Sequence, residues 1–145
     1  MNIATLLSKA AASFPNRPAI TSGTDLWSNY KNLHERASSI ALALINDFAL
    51  KSGDRVAIAM SNRPEFIESL FGIWYAGLVA VPINAKLHPS EFSYIFKNSG
   101  ARLSITDKGL KDILNPILIE HKVLEAIISV DSKDYHDLCV KPKIA

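Results

Sequence analysis

Residues 53–84, GDRVAIAMSNRPEFIESLFGIWYAGLVAVPIN, leave the chain few ways to fold. Val56 to Met60 is an unbroken apolar run entered from the turn residues Gly53 and Asp54. Such a run lacks the polar alternation of a half-exposed strand and suits one buried on both faces, as in a parallel sheet. Pro64 is tolerated only in the first turn of a helix, where its missing N–H costs nothing. After it, Phe66, Ile67, Leu70, Phe71, Ile73 and Trp74 recur at helical spacing and cover more than one face, which predicts a largely buried helix. Trp74 and Phe71 are expected to pack against the sheet. Gly77 fits the left-handed position just past a helix end. Val79 to Val81 reads as a second strand, stopped by Pro82. Parallel strands joined by a helix cross over right-handedly.

The flanks extend this strand–helix–strand unit. Asn2 can cap a first helix carrying Ile3, Leu6, Leu7, Ala10 and Phe14, which Pro15 ends. Residues 19–21 and 26–27 are short strand candidates around the turn Ser22-Gly23-Thr24-Asp25, a small hairpin. Asn29 can cap a second helix with an apolar stripe from Tyr30 and Leu33 to Leu44 and Phe48. Its other face, with Lys31, Glu35, Arg36 and Asp47, reads as solvated. Beyond Pro82, Pro89 and Glu91 suit the start of a helix that Gly100 caps, although His88 is a poorer N-cap than Ser or Thr. Residues 103–106 form a further strand. A helix from Leu110 is interrupted or restarted at Pro116, and residues 126–130 form the last strand. Residues 131–145 read as an irregular polar tail. The expected fold is α/β: an open, mostly parallel sheet with helices on both faces, in one domain spanning residues 1–145.

The 145 residues carry a net charge of +2 with their basic side chains scattered, which argues against a nucleic-acid surface. No window approaches the about 18 consecutive apolar residues of a membrane span. The N-terminus lacks the charge and apolar core of a signal peptide. The single cysteine, Cys139, forms no internal disulfide and fits a reducing compartment, so cytoplasm is the expected location.

Little in the residues points to chemistry. The loop Ser61-Asn62-Arg63-Pro64 has none of the glycines a phosphate cradle needs, and no dinucleotide or Walker fingerprint occurs. The six glycines are dispersed, and Gly109 beside Lys108 supplies no cradle. Asn62 and Arg63 could bind an anion at a helix start; the simpler reading is a turn cap and a solvated cation. His34, His88, His121 and His136 match no metal spacing. Cys139 and His136 could suggest a thiol and its base, but a structural role is the simpler reading. Asp134 and Asp137 read as solvated charges. Glu65 and Glu68 read as helix-dipole residues, since acid–base work would require burial. Trp27, Phe71, Trp74, Tyr75 and Phe92 could line an acyl pocket, but aromatics at such spacing more often form core.

Taken in order, AASFPNRPAI, NYKNLHERASSIALAL, GDRVAIAMSNRPEF and WYAGLVAVPINAKLHPSEFSYIFKNSGARLSITD resemble the N-terminal part of the adenylate-forming enzymes. That group includes acyl-CoA synthetases, aryl-CoA ligases, luciferases and peptide-synthetase adenylation domains. The resemblance runs over roughly residues 4–130 and is nearest to the fatty- or aryl-acyl-CoA ligases. It implies a reaction in which a carboxylate attacks the α-phosphate of Mg-ATP, and a thiol such as CoA then displaces AMP. It also implies ATP, Mg2+ and CoA as cofactors of an intact enzyme, with the remainder of that enzyme as partner. The family's phosphate loop and catalytic lysine lie beyond the matched region. No catalytic, cofactor-binding or metal-ligating residue is therefore carried to any position, and the chain is expected to end before the phosphate loop and to be inactive alone. Two other readings stay open: an interaction or dimerisation module derived from that fold, and an unrelated α/β small-molecule binder. Self-association through apolar surface left uncovered is expected in either of the first two cases.

Overall fold

The computed structural model describes residues 2–140. Six strands and six helices follow one another as α1 (Thr5–Ser13), β1 (Pro18–Ser22), β2 (Asp25–Asn29), α2 (Tyr30–Asn46), β3 (Arg55–Ala59), α3 (Pro64–Tyr75), β4 (Val79–Ile83), α4 (Pro89–Ser99), β5 (Leu103–Thr106), α5 (Lys108–Glu120), β6 (Ala126–Ser129) and α6 (Lys133–Val140). β1 and β2 form the antiparallel hairpin. Gly23 enters its turn at φ +61°, a backbone conformation that glycine adopts without strain. The other four strands form one parallel sheet in the order β4-β3-β5-β6.

The alternation within β3 sorts the two faces of that sheet. Val56 and Ile58 join a core with Ile40 and Leu44 of α2, Ile73 of α3 and Leu138 of α6. Ala57 and Ala59 face the other way, toward Phe92 and Phe96 of α4 and Leu114 of α5. The small alanines leave room for the two phenylalanine rings, which are fully or almost fully buried. On β5, Ser104 and Thr106 are paired in register with Ala57 and Ala59, and their hydroxyls have no hydrogen-bond partner in the protein.

The caps follow the sequence. Asn29 Oδ1 accepts from Asn32 N–H at 2.8 Å, and Asp107 Oδ1 accepts from Leu110 N–H at 3.0 Å. Gly77 and Gly100 take the left-handed conformation. At His88 the cap is half formed: its N–H donates to Glu91 Oε1 at 3.3 Å. Asn2 Oδ1 accepts from Ala4 N–H just ahead of α1.

Four expectations are corrected. Pro82 does not stop β4 but lies within it, opposite Ile58, which an edge strand tolerates because its outer side needs no ladder N–H. Phe71 and Trp74 are half-buried and do not pack on the sheet. Phe66, Leu70 and Ile73 form that stripe, while Phe71 and Tyr75 join a third core with Leu7, Leu33 and Ala37. A helix apolar on more than one side meets two partners, and angular position decides which residue meets which. Pro116 lies inside a continuous α5. The expected irregular tail contains α6, whose Tyr135, Leu138 and Cys139 are buried; residues 141–145 lie outside the described residues.

Helices α2 and α3 approach closely at Gly72, where a Cβ would stand 2.8 Å from Ile40 Cβ and 2.6 Å from its Cγ2. Gly72→Ala is therefore expected to destabilise the fold. An overpacking cost of about 1–3 kcal/mol outweighs the roughly 1 kcal/mol of helix propensity gained. Urea unfolding of the single variants and of the Gly72→Ala/Ile40→Ala pair tests the contact: the two effects should be clearly non-additive, and additive values would rule it out.

Candidate functional site

Open parallel sheets bind ligands outside the carboxyl ends of their strands, where the strand order reverses. Here the chain leaves β3 toward β4 and then returns past it to β5, so that point lies between β3 and β5. It is filled by the protein's own side chains. Asp107, just after β5, accepts through Oδ2 from Ser61 N–H at 3.2 Å. Asp131, just after β6, accepts from Arg63 Nη1 and Nη2 at 2.9 and 2.7 Å and from Lys108 N–H at 3.0 Å. Arg63 Nη2 also donates to Glu65 Oε2 at 2.6 Å. The Arg63 guanidinium holds the Asp131 carboxyl below its ordinary value of 3.8, and Asp131 in turn raises Arg63.

These residues do not fit a nucleotide triphosphate. A phosphate site needs several unclaimed backbone N–H groups and cations. Pro64 has no N–H, the Ser61 and Lys108 N–H groups are given to carboxylates, and Arg63 is shared between two acids. Asp107 and Asp131 put negative charge where a phosphate would need positive. Arg63 is thus not the solvated cation expected from sequence but is paired with two acids, and Asn62 is exposed. Two clefts flank this loop, sharing Asn62 and Phe66 as a wall. One of about 560 Å³ reaches Met60, Ile83 and Lys86, and one of about 440 Å³ reaches Ile20, Gly23 and Ile67.

The remaining candidates separate. His136 is exposed while Cys139 is buried, so they form no thiol–base pair. Burial, followed by the Glu68 charge, pushes the Cys139 thiol up to about 12, the state of an unreactive cysteine. Asp134 and Asp137 are exposed on α6. His34 Nδ1 meets Tyr75 OH at 2.8 Å, and His121 Nε2 meets Ser93 Oγ at 2.9 Å. His88 is exposed. No group of three or more His, Cys, Asp or Glu among the described residues could hold a metal. The aromatic residues line no common pocket: Phe71 and Trp74 meet edge to face at 5.4 Å, Trp27 lies over Arg36 at 5.5 Å, and Phe92 packs across the sheet.

One constellation escapes the sequence reading. Glu68 is completely buried. It accepts from Arg36 Nε at 2.8 Å and Nη2 at 3.0 Å, and from Tyr135 OH at 2.5 Å. Arg36, expected on a solvated face, and Glu68, expected at a helix start, instead form a bidentate pair between α2 and α3. Burial, then the Glu68 charge, raises the Tyr135 phenol far above its ordinary range, and the hydrogen bond to Glu68 raises Arg36. The signal was spacing: Glu68 lies one turn before Gly72, on the face that meets α2.

The arrangement is a four-stranded parallel sheet with helices on both faces and, among the described residues, no phosphate cradle at its switch point. The sequence profile described as AMP-binding enzyme matches residues 7–142. The chain belongs to the AMP-binding enzyme family. It is 33% identical over 129 residues to a long-chain-fatty-acid–CoA ligase of Haemophilus influenzae, covering 88% of this chain and 23% of that protein. It is 30% identical over 129 residues to 4-hydroxybutyrate–CoA ligase 2 of Metallosphaera sedula, covering 88% of this chain and 23% of that protein. The fold superposes on the anthranilate CoA ligase AuaEII in complex with anthranoyl-AMP with a TM-score of 0.87 at 23% identity, over 96% of this chain and 27% of that one. It also superposes on the inhibitor-bound N-terminal domain of FACL13 from Mycobacterium tuberculosis with a TM-score of 0.80 at 26% identity, over 99% of this chain and 37% of that one. The chain thus spans about a quarter of the length of these curated relatives. No helix among the described residues is long and apolar enough to cross a membrane.

The Arg63–Asp131 pair has a pH signature. Because the folded protein depresses Asp131, the stability it contributes is present above the ordinary carboxyl value and lost as pH falls through the folded one. The difference in urea midpoint between the parent chain and Asp131→Asn should be present at pH 7 and shrink below about pH 4. A difference that grows on acidification would refute the assignment.

Proposed function

We propose that these residues form the opening scaffold of an ATP-dependent acyl-CoA synthetase and do not perform its chemistry alone. In the reaction of such an enzyme, a carboxylate oxygen bonds to the α-phosphorus of Mg-ATP as pyrophosphate leaves. The thiol of CoA then bonds to the acyl carbon as AMP leaves. The kinship with CoA ligases supports the reaction class. The observation that carries the scaffold reading is the switch point, where Asp107 and Asp131 consume the donors a phosphate would need. ATP, Mg2+ and CoA are then ligands of the longer enzyme, whose remaining chain is the natural partner of this segment. Cytoplasmic residence fits one buried, unpaired cysteine.

A second reading, an interaction module of the same fold, draws on exposed apolar side chains of the α5 segment. Ile119 is 87% exposed, with Ile113 and Val123 also open. An interaction module would associate through such side chains, and sedimentation of the purified chain should then show species heavier than monomer. A clean monomer across the micromolar range would remove this reading.

The expected outcome for the chain with Mg-ATP, CoA and a panel of carboxylates is no carboxylate-dependent pyrophosphate release and no ATP binding by calorimetry. Replacing the matching segment of the Haemophilus influenzae ligase with residues 7–142 should retain measurable acyl-CoA synthesis. Pyrophosphate release that survives repurification of the chain alone would overturn the scaffold reading.

A further inference from the structure

We propose that α6 is a hinged strap, held shut by the buried Glu68 carboxylate and able to leave as a unit while the sheet stays folded. An eight-residue helix is not stable by itself in water, so α6 exists only while docked. Its outer face, with Lys133, Asp134, His136 and Asp137, is exposed. Its inner face places Tyr135, Leu138 and Cys139 against the core beside α2 and β6.

The polar contacts of α6 with the rest of the fold converge on one place. Tyr135 OH donates to Glu68 Oε1 at 2.5 Å and lies 3.2 Å from Ser69 Oγ. Cys139 Sγ approaches the same carboxylate oxygen at 3.7 Å. From α2, Arg36 faces it as the only cation bonded to it among the described residues. Glu68 keeps Arg36 when α6 departs, so opening does not strand a buried charge, and the cost falls on the Tyr135 bond and the apolar seat. Ile128 of β6, Val130 just after it, and Ile40 and Leu44 of α2 share that apolar core with α6.

The hinge is held independently. Val130 N–H closes the ladder on Thr106 O at 2.7 Å, and Asp131 is fixed by Arg63 and the Lys108 N–H. Only then does the chain turn, with Ser132 Oγ donating to Ser129 O at 2.6 Å and accepting from Tyr135 N–H at 3.3 Å. The break between strap and body therefore falls at Ser132. The second core, across the sheet, includes no residue of α6.

Opening uncovers Cys139, the chain's one cysteine, so maleimide labelling of the 145-residue chain reads it directly. The parent chain should label far more slowly than in denaturant, at a rate insensitive to low urea. Tyr135→Phe should label about tenfold faster or more, the usual range for losing a hydrogen bond to a charged group, and Glu68→Gln should also label faster. Phe92→Leu, across the sheet, should lower the urea midpoint and leave the labelling rate in water unchanged. Labelling of Phe92→Leu that rises in step with its loss of stability would show that Cys139 opens only by global unfolding and overturn the strap. An unchanged rate in a folded Tyr135→Phe would do the same, as would parent labelling at the denatured rate. Should Tyr135→Phe not fold, the urea dependence of the parent and the Phe92→Leu rate decide alone.

Discussion

Arg36 and Glu68 join α2 to α3 one turn from the close approach of the two helices at Gly72. The carboxylate has no contact with solvent, and the guanidinium meets it with two parallel N–H bonds. A buried pair of this kind adds little net stability compared with apolar side chains of the same shape, but losing one partner is costly, typically about 3–5 kcal/mol. Its structural consequence is register. Gly72, one turn on from Glu68, lets Ile40 press against the backbone of α3, and Ile40 is one turn on from Arg36. Charge pair and steric notch are therefore in phase along both helices, and sliding α3 by a turn would break both. Tyr135 extends the same network to α6, so three helices on one face of the sheet are oriented by a single carboxylate.

The core of the opposite face is ordered mainly by volume. Alanines on β3 and phenylalanines on α4 complement one another in size. No charged residue is buried there. Of the buried hydroxyls in that layer, those of Ser104 and Thr106 have no partner in the protein, whereas Ser129 Oγ accepts from Asp131 N–H at 3.2 Å. The two faces thus achieve specificity by different means: one by shape, the other by a polar network that must be fully satisfied to be tolerated.

At the carboxyl ends of the strands the fold has the topology of a ligand site and the chemistry of a closed joint. Asp107, Asp131, Arg63 and Ser61 tie the loops after β3, β5 and β6 together. The relatives are about four times longer than the matched region, and at the switch point the Ser61 and Lys108 N–H groups and the Arg63 guanidinium are all bonded to carboxylates.

The sequence by itself determined the elements up to β6, and the family. The apolar run at 56–60, Pro64, Gly77 and Gly100 act within a few residues of themselves, so strands, helix starts and left-handed caps were legible where they stand. The ordered series of short motifs was enough to place the chain among the AMP-binding enzymes. What only the tertiary structure decided is pairing over long separation. Nothing local shows that Arg36 turns inward to Glu68, that Asp131 reaches back to Arg63, or that residues 133–140 fold at all. α6 looks polar and short because half of its surface is solvated, and its helical state depends on three side chains meeting a core built from α2, α3 and the sheet. Likewise Phe71 and Trp74 share the apolar character of Ile73. Which of them meets the sheet is a matter of rotation about the helix axis, set by where Gly72 and Glu68 must face α2.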